Sequence, residues 1–156
     1  MNYPKYNLAT NTDATVFEFV SEGTKGTIVK AIVYTVTDSE MVYNLGFGDK
    51  IILDEETGEI DVDDSVISDN GDRDMVLATV AKSAYIFTEI YPERALFFMG
   101  STVSRTRLYR MAISKNFEEI SKTFSIFGAI LQVDGGIVDV PFDSKTDFYG
   151  FLIKRK

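Results

Sequence analysis

From Thr15 to Ser21 the chain alternates, with Phe17 and Phe19 falling on one side of Glu18, and a period of two with bulky residues on one face is that of a half-buried strand. Glu22-Gly23-Thr24-Lys25-Gly26 supplies a turn, and the β-branched run from Thr27 to Thr37 completes a hairpin. A third strand is predicted across Val42 to Phe47. Gly48-Asp49-Lys50 interrupts it, and Ile51 to Leu53 extends or follows it. The connections are too short for crossover helices, so this N-terminal meander is expected to be antiparallel.

Between Asp54 and Asp74 the chain is dense in aspartate and glutamate, and the apolar pairs Ile60 with Val62 and Val66 with Ile67 predict one more strand inside that stretch. The spacing does not match the D-x-[DN]-x-[DN]-G loop that binds calcium. Asp69-Asn70-Gly71-Asp72 reads instead as a turn ending at a helix N-cap, with Asp72 accepting from the first free amides and Asp74 favoured by the helix dipole. From Arg73 to Tyr91 the period becomes helical: Val76, Val80, Ala84, Phe87 and Tyr91 recur at spacings of three and four, and Leu77, Ala81 and Ile90 widen the stripe. Pro92 stops this helix.

Ala95 to Met99 is a short buried strand, too apolar to have a solvent face. Ser104 to Lys115 is helical with Leu108, Met111 and Ala112 on one side, and Asn116 to Phe124 continues it past a kink near Asn116. Ser125 to Val133, the tight turn Asp134-Gly135-Gly136, Ile137 to Phe142, and Phe148 to Ile153 return the chain to strands. The expected fold is α+β in a single domain over residues 1–156. An antiparallel sheet, made of the N-terminal meander and the C-terminal strands, packs on one long helix and a second, shorter helical segment.

At 156 residues, 45% hydrophobic, the chain is long enough to close one core. It contains no cysteine and no histidine, which excludes disulfides, thiolate zinc sites, Ser-His-Asp triads and Cys-His pairs. No metal and no cofactor are expected. The formal net charge of −8 argues against nucleic acid as a partner and toward a protein with a basic surface. The chain has no run of about 18 apolar residues. Its start lacks the basic head and apolar stretch of a secretion signal, so a cytoplasmic, non-membrane protein is expected.

Charge is patterned in one place. In ALFFMGSTVSRTRLYR an apolar strand breaks at Gly100 into hydroxyls and then three arginines. Here Gly100 would allow close approach of a ligand, Ser101, Thr102 and Ser104 would donate hydroxyls, and Arg105, Arg107 and Arg110 would wall in a phosphate or carboxylate beside the ring of Tyr109. On a helix Arg105 and Tyr109 share one face and Arg107 and Arg110 another, so at most two guanidiniums converge. The competing reading makes Ser104 an N-cap and pairs the arginines with the abundant acids. The segment has neither the G-x-x-x-x-G-K-[ST] nor the G-x-G-x-x-G spacing.

The blocks YNLATNTDATVFEFVSEGTKG, VYNLGFGD, NGDRDMVLATVA and GSTVSRTRLYR, with the ending FLIKRK, resemble an uncharacterised bacterial family of about this length, classed only as a domain of unknown function. The resemblance covers nearly the whole chain and implies no activity. Two functional readings therefore stand. The first is a noncatalytic interaction or ligand-binding module in a bacterial defence or toxin–antitoxin setting, with no catalytic residue assigned. The second is an enzyme or sensor acting on a phosphate-bearing ligand, a nucleotide or RNA, through Gly100 to Arg110, with Tyr109 or Glu89 assisting proton transfer. An edge strand near either terminus is compatible with a homodimer.

Overall fold

A computed structural model of the chain describes residues 3–63 and 70–156. The fold is α+β: a mixed, mostly antiparallel open sheet with three helices. The chain forms two compact units, one of Met1–Thr35 with Leu45–Tyr91 and one of Val36–Asn44 with Pro92–Lys156.

In the first unit the strands run β1 (Ala9–Thr10), β2 (Val16–Gly23), β3 (Gly26–Val36) and β4 (Val42–Asp54), in that spatial order, with β5 (Glu59–Asp63) paired to β4. β2 and β3 are antiparallel with Phe17 opposite Ile32 and Phe19 opposite Lys30. The alternation in the sequence thus puts Phe17, Phe19, Ile32 and Tyr34 on one buried face. Helix α1 (Arg73–Ile90) lies on that face, with Phe87 stacked on Tyr34 at 4.3 Å between ring centroids and Ser83 Oγ 2.7 Å from the Tyr34 hydroxyl. Val76, Val80, Ala84 and Phe87 are buried as the helical period requires, whereas Ile90 is exposed and does not widen the stripe.

Two expectations are corrected in this unit, and a third falls outside it. β4 is continuous through Gly48-Asp49-Lys50, because Asp49 and Lys50 are both held by neighbours: Asp49 pairs with Lys30 and Lys50 with Glu18, each at 2.7 Å. Asp72 stands at the N-cap position of α1, yet its carboxylate caps nothing. It accepts instead from Ser21 Oγ and the Tyr6 hydroxyl, each at 2.5 Å, and so ties the N-terminal segment and β2 to the helix start. The expected strand pair Ile60 and Val62 is β5; Val66 and Ile67 lie outside the described residues.

In the second unit the start of β4 is followed in space by β6 (Ala95–Phe98), β9 (Gly150–Arg155), β7 (Phe124–Leu131) and β8 (Ile137–Pro141). β6 pairs in parallel with Val42–Asn44 and antiparallel with β9, so the mostly antiparallel sheet expected from the sequence contains one parallel pairing. β6 is a central strand, as its apolar sequence requires, with Ala95 and Leu96 buried. Helices α2 (Val103–Lys115) and α3 (Phe117–Thr123) separate at Asn116, whose side-chain amide donates to the Ala112 carbonyl at 2.8 Å. The last strand starts two residues later than predicted, at Gly150, because Phe148 turns inward and is buried beside Phe142 and Phe151.

Candidate functional site

The joint between β6 and α2 is built by Gly100. A β-carbon there would stand 2.5 Å from both Arg105 Cβ and the Thr106 amide nitrogen, so only glycine lets the strand end lie against the first turn of the helix. Its own N–H donates to Thr106 Oγ1 at 3.1 Å. Gly100 therefore serves close approach of backbone to helix, and its amide is engaged within the protein. The N-cap is Thr102, not Ser104: Thr102 is extended (φ −135°, ψ 162°) and its hydroxyl accepts from the Arg105 amide at 3.2 Å. Ser104 is an exposed residue of the first turn. That turn contains no acid, which leaves the positive end of the helix dipole without a carboxylate of its own.

The helical period of α2 separates Arg107 and Arg110 from Arg105 and Tyr109. Thr106 and Ile113 are its buried positions, and Met111, expected on the inner side, is exposed. Arg107 and Arg110, three residues apart, both line a cleft of about 250 Å³. Arg105 leans back along the chain and donates to Ser101 Oγ at 3.0 Å. Tyr109 packs edge-on to Phe98, with 6.3 Å between ring centroids. Of the eight predicted site residues, Gly100, Ser101, Thr102, Arg107 and Arg110 line the cleft, and Ser104, Arg105 and Tyr109 do not. Glu89 is an exposed residue of α1 and is not among the lining residues.

The two lining arginines differ in their state. The Arg110 guanidinium donates to the Asp147 carboxylate at 2.6 Å and to the Thr146 carbonyl at 2.9 Å, and it is largely withdrawn from solvent. Arg107 is exposed and makes no hydrogen bond or ion pair among the described residues. The same cleft also presents the apolar side chains of Met99, Val103, Phe148, Tyr149 and Phe151.

The opposite wall was not predicted. It belongs to the loop that ends at Tyr149, and the loop is shaped by Asp143, which accepts from the Lys145 and Thr146 amides at 2.8 Å each and from the Thr146 hydroxyl at 2.6 Å. The Thr146 hydroxyl and the two amides hold the Asp143 carboxyl below its ordinary value, since all three bonds favour the charged form. An aspartate followed three residues later by a threonine is a turn signature that could have marked the loop, but nothing in it pointed to α2.

Residues 2–156 match the sequence model of DUF6934, a family of unknown function. The chain belongs to this family. No curated protein and no solved structure matches it. The DUF6934 match includes both the Gly100–Arg110 segment and the 143–149 loop.

Among the described residues of this DUF6934 chain no helix is long and apolar enough to cross a membrane, and no three acidic side chains converge as a metal site.

Proposed function

We propose that this DUF6934 protein is a noncatalytic ligand-binding module whose α2 cleft takes a small molecule with one anionic end and an apolar or planar body. The observation that carries the reading is Arg107: an exposed guanidinium without a carboxylate partner among the described residues, on the wall of a cleft whose lining combines Ser101, Thr102, Thr106 and the Arg110–Asp147 pair with the apolar side chains of Met99, Val103, Phe148, Tyr149 and Phe151. A charged donor of this kind fits a carboxylate or phosphate, and the apolar side chains fit the rest of such a ligand. The acid-free first turn of α2 favours the same sign of charge. Binding is favoured over catalysis because the one carboxylate among the lining residues, Asp147, is engaged by Arg110.

Thermal melting with nucleoside monophosphates, cyclic nucleotides, short RNA and aromatic carboxylates tests the proposal. A ligand present at a hundred times its dissociation constant adds about 2.7 kcal/mol to stability. The expected result is a shift for at least one small anion that Arg107→Ala removes. A panel without any shift, or a shift that Arg107→Ala leaves intact, overturns the reading.

A further inference from the structure

Asp147 stands in the α2 cleft at a place that the chain fixes from both sides. Before it, the Asp143 carboxylate accepts from the Lys145 and Thr146 amides at 2.8 Å each. After it, the buried Phe148 ring fills the space beside Gly128, and the Tyr149 amide donates to the Ala129 carbonyl at 2.8 Å. With both neighbours anchored, the Asp147 carboxylate is kept at the rim of the cleft, 71% exposed and bonded to Arg110. Among the described residues three charged side chains line the cleft: Arg107, Arg110 and Asp147. Arg110 and Asp147 neutralise one another across 2.6 Å, and Arg107 is left as the one cation of the lining without a counterion among the described residues. One cation offsets one negative charge. A second negative charge on the ligand would face Asp147 with no cation of its own, and taking such a charge out of water is costly.

Size narrows the class further. The cleft of about 250 Å³ lies below the roughly 300–1,000 Å³ of sites that enclose drug-sized ligands, so it holds less than the base, sugar and phosphate of a nucleotide. The rings of Phe148, Tyr149 and Phe151 in the lining suit a planar body of one ring. We propose that the α2 cleft selects a singly charged acid carrying one aromatic ring, and that Asp147 is the residue that sets the charge it accepts. The proposal rests on the reading of the cleft as an anion site and adds to it the charge and size of the ligand.

The test uses four probes built on one phenyl ring, in calorimetric titration at pH 8: phenylacetate, methyl phenyl phosphate, phenyl phosphate and phenylacetamide. The first two carry one negative charge and the last none, whereas phenyl phosphate carries two, because the second ionisation of such a phosphate lies near about 6. Phenylacetate and methyl phenyl phosphate should bind comparably, phenyl phosphate at least tenfold more weakly, and phenylacetamide not at all. Asp147→Asn should strengthen phenyl phosphate at least tenfold, since Arg110 then offers a second unmatched cation. Titration of the unaltered protein at pH 5.5 gives an independent check: phenyl phosphate takes up a proton there while phenylacetate stays ionised, so the gap between them should narrow. Equal binding of phenylacetate and phenyl phosphate at pH 8, or a folded Asp147→Asn variant that leaves their ratio unchanged, overturns the proposal. So does a preference that follows phosphorus instead of charge, with methyl phenyl phosphate as weak as phenyl phosphate. After these failures the cleft is still an anion site wherever Arg107→Ala removes the binding. Absence of phenylacetate binding overturns the proposal too, and the wider panel with Arg107→Ala then decides whether the reading of the cleft survives.

Discussion

The ring of Phe148 occupies the space that a β-carbon on Gly128 would need, so a position in β7 sets how deeply the 143–149 loop is seated. Phe148 is buried against Phe142 and Phe151, and the residues on either side of it, Asp147 and Tyr149, line the cleft. Gly128→Ala should therefore move the ring and cost about 1–3 kcal/mol, the range for overpacking a filled core. Urea unfolding measures that loss. In the double variant Gly128→Ala/Phe148→Leu the two changes should be less than additive, because the smaller side chain yields the contested space. Full additivity would show that the two positions do not compete.

Arg107 and Arg110 should separate binding from folding. Arg107→Ala removes a guanidinium that no carboxylate among the described residues holds, so the midpoint of unfolding should move within about 0.5 kcal/mol. Arg110→Ala breaks an ion pair whose other member, Asp147, is 71% exposed, and screening by solvent limits its cost to under about 1 kcal/mol. The response to anionic ligands is expected to vanish in Arg107→Ala. In Arg110→Ala it should weaken, since Asp147 is released and adds negative charge to the cleft. A stronger response in Arg110→Ala would show that the salt bridge opposes binding.

The sequence made the elements legible where one period dominates. Val76, Val80, Ala84 and Phe87 disclosed α1, and the alternation around Phe17 and Phe19 disclosed the β2–β3 hairpin and its inner face. The grouping of Arg107 with Arg110 also followed from helix geometry alone. What stayed hidden depends on partners distant in the chain. Gly48-Asp49-Lys50 looks like a break until Lys30 and Glu18 hold it in the strand, and the far wall of the cleft requires Phe148 to find Gly128. Parallel pairing of β4 with β6 has no local signature either, as it joins segments about fifty residues apart.

The expected Asp72 cap on α1 is absent and the cap on α2 comes from Thr102 in place of Ser104, and substitution can show both. Thr102→Ala removes a hydroxyl that accepts from the Arg105 amide and should cost about 1 kcal/mol, as loss of an N-cap does. Asp72→Ala removes no cap, but it takes the acceptor from the buried Ser21 hydroxyl and from Tyr6. Hydrogen bonds to a charged group contribute about 1.5–3 kcal/mol. Tyr6 keeps the Glu22 carbonyl as an acceptor, whereas Asn70 only donates to Ser21 Oγ and leaves that buried hydroxyl without one. Asp72→Asn should restore part of the loss, and Asp72→Ala should expose Tyr6 to rapid quenching by iodide. If Thr102→Ala proves the costlier change, the tie between β2 and the N-terminal segment is weaker than its geometry implies.

Tyr34 makes stability depend on alkali. Burial against Phe87 raises its phenol far above the ordinary value near 10, and the bond to Ser83 offsets only part of that rise. The folded state thus keeps the proton at a pH where the unfolded chain has lost it. A group whose value is raised on folding contributes fully below its unfolded value, and the contribution declines as pH climbs above about 10. Unfolding free energy should accordingly fall with pH from about 10 upward, and this slope should be shallower in Tyr34→Phe, which has no proton to lose. At neutral pH the same variant forfeits one buried hydrogen bond, about 1 kcal/mol, while Ser83 retains the Val80 carbonyl and the ring stays stacked on Phe87. Urea midpoints at pH 8 and pH 11 for both proteins measure the two effects together. An identical slope in wild type and Tyr34→Phe would mean that the phenol ionises without unfolding the first unit.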